Sequence, residues 1–571
     1  METDFERSIR LRQWRTHWGR FTALMVLLWL GQAAVQAAEW QWSVPVDSAV
    51  STETQDHPRA FLWIPADCRQ VRAVVVGQHN MLEEGMLEDT ALRRELARLG
   101  MAEIWITPVL DTWQNATNNA AANAHFDGML AALARESGYR ELVFAPIIPL
   151  GHSAMASFPW NFGAWNPDRT LAMLSVHGDA PQTGLVGNGR PNADWGNRTI
   201  DGIPGLMVMG EYEWLEERLT PAETFRTRFP GAPVAMLAQP GRGHFDIDPK
   251  LVRYLALFIR KAAEQRLPAQ SPLDGPVRLK PVDPRQGWLV DRWRKDEAPH
   301  AKAAPFGEYH GNRAEAFWSF DGEMARLTEN YGADQRGKRP QLLGYVQAGQ
   351  VVSQTPAAHE QVRLKFLPQA DGVTFQLGAT FLDTVAAGGN PARWTGLTNG
   401  APLGHATGGG PIKISRICGP VRQVGTNTFA VSFYRMGMAN ARRGGDIWLL
   451  AEQPGDAHYK SAVQQALLHL PLRNTEGREQ HLDFPEIPAQ TNGVKRVALN
   501  ATSDAGMPVY YYVREGPAEM AGDELQITRI PPRATFPVKV TVVAWQYGRS
   551  MEPKIKSAEP VERTFNIVNN P

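Results

Sequence analysis

The chain has 571 residues, 43% hydrophobic and 21% charged, with 59 Lys+Arg against 59 Asp+Glu. That balance excludes a global field able to recruit nucleic acid or an anionic membrane, and the composition is ordinary for globular proteins. More than one domain is expected, because single cores stop growing at roughly 250–300 residues.

The N-terminus reads as an export address. Arg7, Arg10, Arg12, Arg15 and Arg20 precede the apolar run Phe21 to Leu30, and Gly31 to Ala38 is rich in small residues. Val35-Gln36-Ala37 fits a signal-peptidase site, so residues 1–38 are expected to be a signal peptide and the mature chain secreted or periplasmic. The run is shorter than the ~20 residues of a spanning helix, so no stable membrane partner is expected after cleavage. Cys68 and Cys418 are the only cysteines, and both are expected to pack as small buried hydrophobes.

Residues 39–268 alternate between short apolar runs and helical patterns. Strands are expected at Arg72 to Val76, Ile104 to Ile106, from Leu142, at Leu171 to Val176, at Leu206 to Met209 and at Pro233 to Leu237. Helices are expected at Leu87 to Leu99, His125 to Ser137 and Lys250 to Glu264. Such alternation predicts βαβ units and an α/β fold with a mostly parallel sheet. Pro268, Pro272, Pro276, Pro281 and Pro284 then break any regular element. Residues 269–480 read as a β-rich middle region, with short strands such as Val362 to Phe366, Val373 to Phe375 and Thr428 to Phe433. Its clearest helical period is His458 to Leu470. Residues 485–571 alternate at Val494 to Leu499, Val509 to Val513, Leu525 to Ile527 and Val538 to Trp545, a spacing that suggests an Ig-like β-sandwich.

The chemistry concentrates at Gly151-His152-Ser153-Ala154-Met155-Ala156, where a strand ends and a helix can begin. In a nucleophile elbow the serine sits on a sharp strand-to-helix turn that lifts its Oγ out of the sheet, and small neighbours relieve the crowding. Gly151 fits the pattern G-x-S-x-G, Met155 departs from its second Gly, and Ala156 is the alternative small contact. An inert Ser153 would simply cap a helix. His152 is expected to point away from the serine.

The acid should follow a later strand. Glu213, in Gly210-Glu211-Tyr212-Glu213, has the expected spacing, with Glu211 and Asp179 as alternatives. The base is His244, in the glycine-rich loop Pro240-Gly241-Arg242-Gly243-His244. Oxyanion donors are expected from the Ala154 amide and from the loop after the Val74–Val76 strand, where Gln78 and His79 stand. Trp160 and Trp165, just after the nucleophile, either line a substrate pocket or pack beneath the elbow. The aromatics of the second half, Trp288, Trp293, Phe317, Trp318, Phe320, Trp394, Trp448 and Trp545, are expected to serve packing first. No HExxH, paired CxxC, EF-hand, P-loop or dinucleotide fingerprint is present, so neither a metal nor another cofactor is expected.

Over residues 39–268 these motifs resemble the α/β-hydrolase superfamily, and the pattern is similar to secreted esterases of the dienelactone-hydrolase and feruloyl or acetyl-xylan esterase kind. The resemblance implies a serine esterase acting on a small-molecule or polysaccharide ester. Two other readings stay open at this point: a carbohydrate-binding scaffold on a degenerate hydrolase fold, and a serine peptidase.

Overall fold

The computed structural model describes residues 39–183, 193–355, 362–439 and 444–569. The signal-peptide reading at 1–38 lies outside the described residues.

Residues 39–268 build one eight-stranded sheet. In chain order its strands are β1 (Trp42–Pro45), β2 (Arg59–Trp63), β3 (Ala73–Gln78), β4 (Met101–Thr107), β5 (Ile147–His152), β6 (Met173–Val176), β7 (Gly205–Gly210) and β8 (Val234–Gln239). The spatial order is β1-β2-β4-β3-β5-β6-β7-β8. β1 and β2 pair antiparallel, β2 meets β4 antiparallel, and every later pairing is parallel.

The parallel strands are buried along their whole length because helices cover both faces. The period of two shows in β3: Val75 belongs to one core, Val74 and Val76 to the other. The helices are α1 (Glu83–Leu87), α2 (Thr90–Leu99), α3 (Ala120–Ser137), α4 (Ser157–Trp165), α5 (Glu216–Arg228) and α6 (Pro249–Arg266). Asp89 caps α2 through the amides of Ala91 and Leu92. Asp248 caps α6 through Leu251, with Pro249 in the first turn, where a missing N–H costs nothing. The mostly parallel, helix-covered sheet is an α/β-hydrolase architecture.

Two expected elements differ. Leu142 to Phe144 opens no strand: Arg140–Val143 is a 3-10 turn, and β5 begins only at Ile147. The helical period at His458 to Leu470 is instead a strand, Ala462–His469, pairing antiparallel with Asp446–Gln453 and parallel with Val362–Leu364. Both its faces are buried, so its apolar spacing serves two packed surfaces rather than one helical stripe, a tertiary override of local preference.

The proline-rich stretch 268–283 carries no helix or strand and lies along the α/β unit, where Arg72 donates to Pro268 O (2.9 Å) and the Val282 amide to Gly202 O (3.0 Å). The middle region is β-rich, with short antiparallel sheets and one four-stranded sheet. Residues 490–568 form a four-stranded and a three-stranded sheet around a core that includes Leu525, Val540, Val542, Phe565 and Ile567.

The middle region is built onto the α/β unit. Trp318, Trp394, Trp448, Leu450 and Val463 belong to the same buried cluster as Leu206, Val208, Phe245 and Leu255. Phe245 and Trp448 pack with ring centroids 4.9 Å apart, Lys460 Nζ lies 2.9 Å from Glu211 Oε1, and Arg242 lies 3.1 Å from Glu452. Phe317, Phe320 and Trp545 are also buried, while Trp288 and Trp293 are half-buried. The last β-rich unit returns to the first strands, where buried Glu515 accepts from Ser43 and lies 3.3 Å from Arg59. Cys68 and Cys418 are both buried free thiols. Among the described residues no helix is long and apolar enough to cross a membrane.

Candidate active site

The site lies at the C-terminal ends of β5, β6, β7 and β8, where loops leave a parallel sheet. Ser153 follows β5 directly and has a φ of 53°, the left-handed backbone that turns a strand sharply into a helix. A 3-10 turn, Ser153–Met155, precedes α4. Gly151 must lack a side chain, because a Cβ there would stand 2.0 Å from Met155 O. The small contact on the other side is made by Ala156, whose Cβ lies 2.0 Å from the position a Cβ would take at Gly178. Met155 therefore occupies an elbow in which Ala156 and Gly178 make the close approach.

Ser153 Oγ is 2.7 Å from His244 Nε2, and His244 Nδ1 donates to Glu213 Oε2. Ser153 is half-buried, whereas His244 and Glu213 are 3% exposed each. Glu213 Oε1 accepts from the Gly210 amide (2.8 Å) and from His177 Nδ1, and Arg218 donates to Oε2 (3.1 Å). The alternative acids are engaged elsewhere. Glu211 binds Lys460 and accepts the Gly241 amide (2.8 Å), and Asp179 lies 3.3 Å from Arg218 Nε.

The electrostatics follow from burial and from this crowding. Burial raises Glu213, but the charges and hydrogen bonds of His177 and His244 outweigh it and hold the carboxyl well below its ordinary range. Burial lowers His244, and Glu213 only partly offsets it. For His177 burial also lowers, but Glu213 outweighs it and the net shift is upward. Burial, with His244 and His177 as neighbours, takes His152 well below the ordinary imidazole value.

His152 points away from the serine and holds the His244 backbone. Its Nε2 donates to His244 O (2.8 Å), and its Nδ1 faces Asn80 Nδ2 at 3.3 Å, which fixes a neutral tautomer. Buried Glu83 ties the elbow to the loop after β3, accepting the amides of His152 (2.7 Å) and Met81 (3.0 Å).

The Ala154 amide sits in the first turn after Ser153, where an N–H has no intrahelical acceptor. The His79 amide is committed to Ile106 O (2.8 Å) and cannot serve an oxyanion; the backbone continues the β3–β4 ladder there. The Gln78 side chain is turned to the loop after β4, accepting from the amides of Leu110 (2.9 Å) and Asp111 (3.1 Å). Trp160 packs beneath the elbow rather than on a pocket wall. It is 1% exposed, lies against Gly205 and donates to Asp179 O (3.0 Å). Trp165 is half-buried with Arg198 over its ring at 3.5 Å. Among the described residues no group of three or more His, Cys, Asp or Glu side chains is arranged to hold a metal ion.

Sequence reasoning passed over His177 and Arg218. The first stands beside Asp179 in Val176-His177-Gly178-Asp179, and a histidine directly after a strand of the sheet was the available signal. Arg218 offers none, since its contact depends on how α5 packs.

No family model matches the sequence, and no curated protein matches it. Among solved structures, the chain is similar to a fluorophosphonate-binding serine hydrolase of Staphylococcus aureus at 14% identity, covering 39% of this chain and 99% of that one, with a TM-score of 0.27. It is similar to an S-formylglutathione hydrolase from Agrobacterium tumefaciens at 15% identity, covering 40% and 97%, with a TM-score of 0.28. A ferulic acid esterase from Anaeromyces mucronatus aligns at 17% identity over 39% and 91%, with a TM-score of 0.26.

Proposed function

We propose that this chain is an exported serine hydrolase that cleaves carboxylic esters through an acyl-enzyme, with Ser153 as nucleophile, His244 as base and Glu213 as acid. The observation that carries the reading is the 2.7 Å contact between Ser153 Oγ and His244 Nε2, with Ser153 in the left-handed backbone of an elbow. In this scheme His244 takes the hydroxyl proton as Oγ attacks the ester carbonyl, then returns it to the departing alcohol. Glu213 holds the imidazole with its proton on Nδ1 and stabilises the imidazolium. The Ala154 amide donates to the oxyanion, a contact worth ~3 kcal/mol in the transition state. Water then repeats the sequence to release the acid.

The substrate we propose is an acyl ester on a polysaccharide, acetyl or feruloyl, on the ground of the N-terminal export pattern and the attached β-rich regions. The test is covalent labelling of the purified protein by a fluorophosphonate, mapped by mass spectrometry, beside turnover of chromogenic short-acyl esters. An adduct on Ser153 and loss of turnover in Ser153→Ala are expected. An adduct elsewhere, or undiminished turnover in that variant, overturns the reading.

A further inference from the structure

We propose that His177 is a positioning residue for acyl transfer: it grips the Glu213 carboxylate opposite His244, and its own proton sets how strongly that carboxylate supports the base. The proposal rests on the reading of Glu213 as the acid of the triad.

The geometry is that of one carboxylate between two imidazoles. His177 Nδ1 bonds Oε1 and His244 Nδ1 bonds Oε2, with the ring centroids 6.1 Å apart. His177 is completely buried, and among the described residues its Nε2 has no hydrogen-bond partner and its ring makes one polar bond, to Glu213. It is held there at a φ of 51°, a left-handed conformation that only a few residue types adopt without appreciable strain. The Gly210 amide and Arg218 already give the carboxylate one further donor on each oxygen. What the second imidazole adds is a donor that can also become a charge.

The groups around it show why that charge matters. Asp179, two residues along, is taken by Arg218 of α5, and Asp246, on the loop that carries His244, accepts the Gly243 amide and lies 3.8 Å from Arg242. His152 of β5 faces the ring at 5.9 Å and is held neutral. Asp246 also draws a proton toward His177 through space, but Glu213 is the carboxylate hydrogen-bonded to both imidazoles, and a proton on either raises the cost of a proton on the other. The upward shift of His177 and the downward shift of His244 send the first proton to His177. In that form His244 is still neutral and able to take the Ser153 proton. The imidazolium it becomes then faces a carboxylate shared with a second cation besides Arg218, and the reaction slows. A second proton, on His244, stops it.

The consequence is an acid limb of kcat with two steps, the first leaving reduced turnover. The test compares full pH profiles on a chromogenic ester for the wild-type chain, His177→Asn and His177→Ala, with thermal unfolding of each. Asn tolerates the left-handed backbone and offers an uncharged N–H to Oε1. His177→Asn should keep kcat on the plateau within about threefold, leave KM unchanged and collapse the limb to a single step. His177→Ala should lower kcat about tenfold or more at unchanged KM. A single-step limb in the wild type overturns the proposal. So does a His177→Asn profile that superimposes on the wild type, or one that falls as far as His177→Ala with its shape unchanged. Should His177→Ala not fold, the Asn variant decides alone. Failure of the underlying reading is seen separately, as turnover that survives Ser153→Ala.

Discussion

Ala156 Cβ occupies the space that a side chain at Gly178 would need, 2.0 Å from its ideal Cβ. The strand-to-helix turn at Ser153 and the end of β6 are thus locked by a pair of small residues on different elements. The second glycine of the elbow pattern is dispensable because its steric task has moved one residue along and across the sheet. Met155→Gly should therefore leave turnover within about threefold, whereas Gly178→Ala should displace Ser153 and cost about 100-fold, as a shift of roughly 1 Å does. Steady-state kinetics on one ester checks both, and equal effects of the two substitutions would dismiss the account.

The three carboxylates near the base differ in what they hold. Glu213→Gln should reduce kcat by about 10³–10⁴-fold, as amide replacement of a triad acid does. Glu211→Gln and Asp179→Asn should cost far less in kcat, since their partners are Lys460 and Arg218 rather than His244. Kinetics of the three variants separates them; a larger kcat loss in Glu211→Gln than in Glu213→Gln would reassign the acid.

Much of this site is legible in the sequence because its parts are local. A small-residue turn after an apolar run marks Ser153, a carboxylate three residues after a Gly stop marks Glu213, and a glycine-rich loop before an amphipathic helix marks His244. What is not legible depends on pairing across the sheet. His177 gains its meaning only when β6 and β7 lie side by side, and Arg218 only when α5 folds back over the acid. The strand at Ala462–His469 reads as a helix for the same reason, since its two buried faces belong to partners far away in sequence. The aromatics of the middle region carry no address either; only the fold shows that Trp448 is meant for Phe245.

That seam should govern expression. Cut at residue 268, the α/β unit would expose Phe245 and Tyr212 and leave Glu211 without Lys460 and Lys295. A chain of residues 39–268 is expected to aggregate or unfold. Within the full chain, Lys460→Met should destabilise by about 3–5 kcal/mol because a buried charge loses its partner. Solubility of the fragment and denaturant unfolding of the variant measure the two effects. A soluble, active fragment as stable as the whole protein would show that the seam is incidental.

Stability should also fall as the solution turns from mildly acidic to mildly alkaline. Burial raises Glu103 to about 8, with Arg93 at 2.9 Å offsetting only part of it, and raises Glu83 to about 7. Both folded values lie above the unfolded value of 4.5. The native chain therefore keeps protons that the unfolded chain releases, so the stabilisation is fully present below that value and lost as pH rises toward 7 and 8. Glu213 acts oppositely but only below the ordinary carboxylate range, whereas His152 and His244, lowered by burial, oppose the trend below the unfolded imidazole value of 6.5, so the fall is read above it. The melting temperature should be a few degrees higher at pH 6.5 than at pH 8, at about 1 °C per kcal/mol for a chain of this length. Glu103→Gln removes the largest of these contributions and should narrow the gap. A melting temperature that rises from pH 6.5 to pH 8, unaltered by that substitution, would mean that Glu103 is ionised throughout and that Arg93 outweighs its burial.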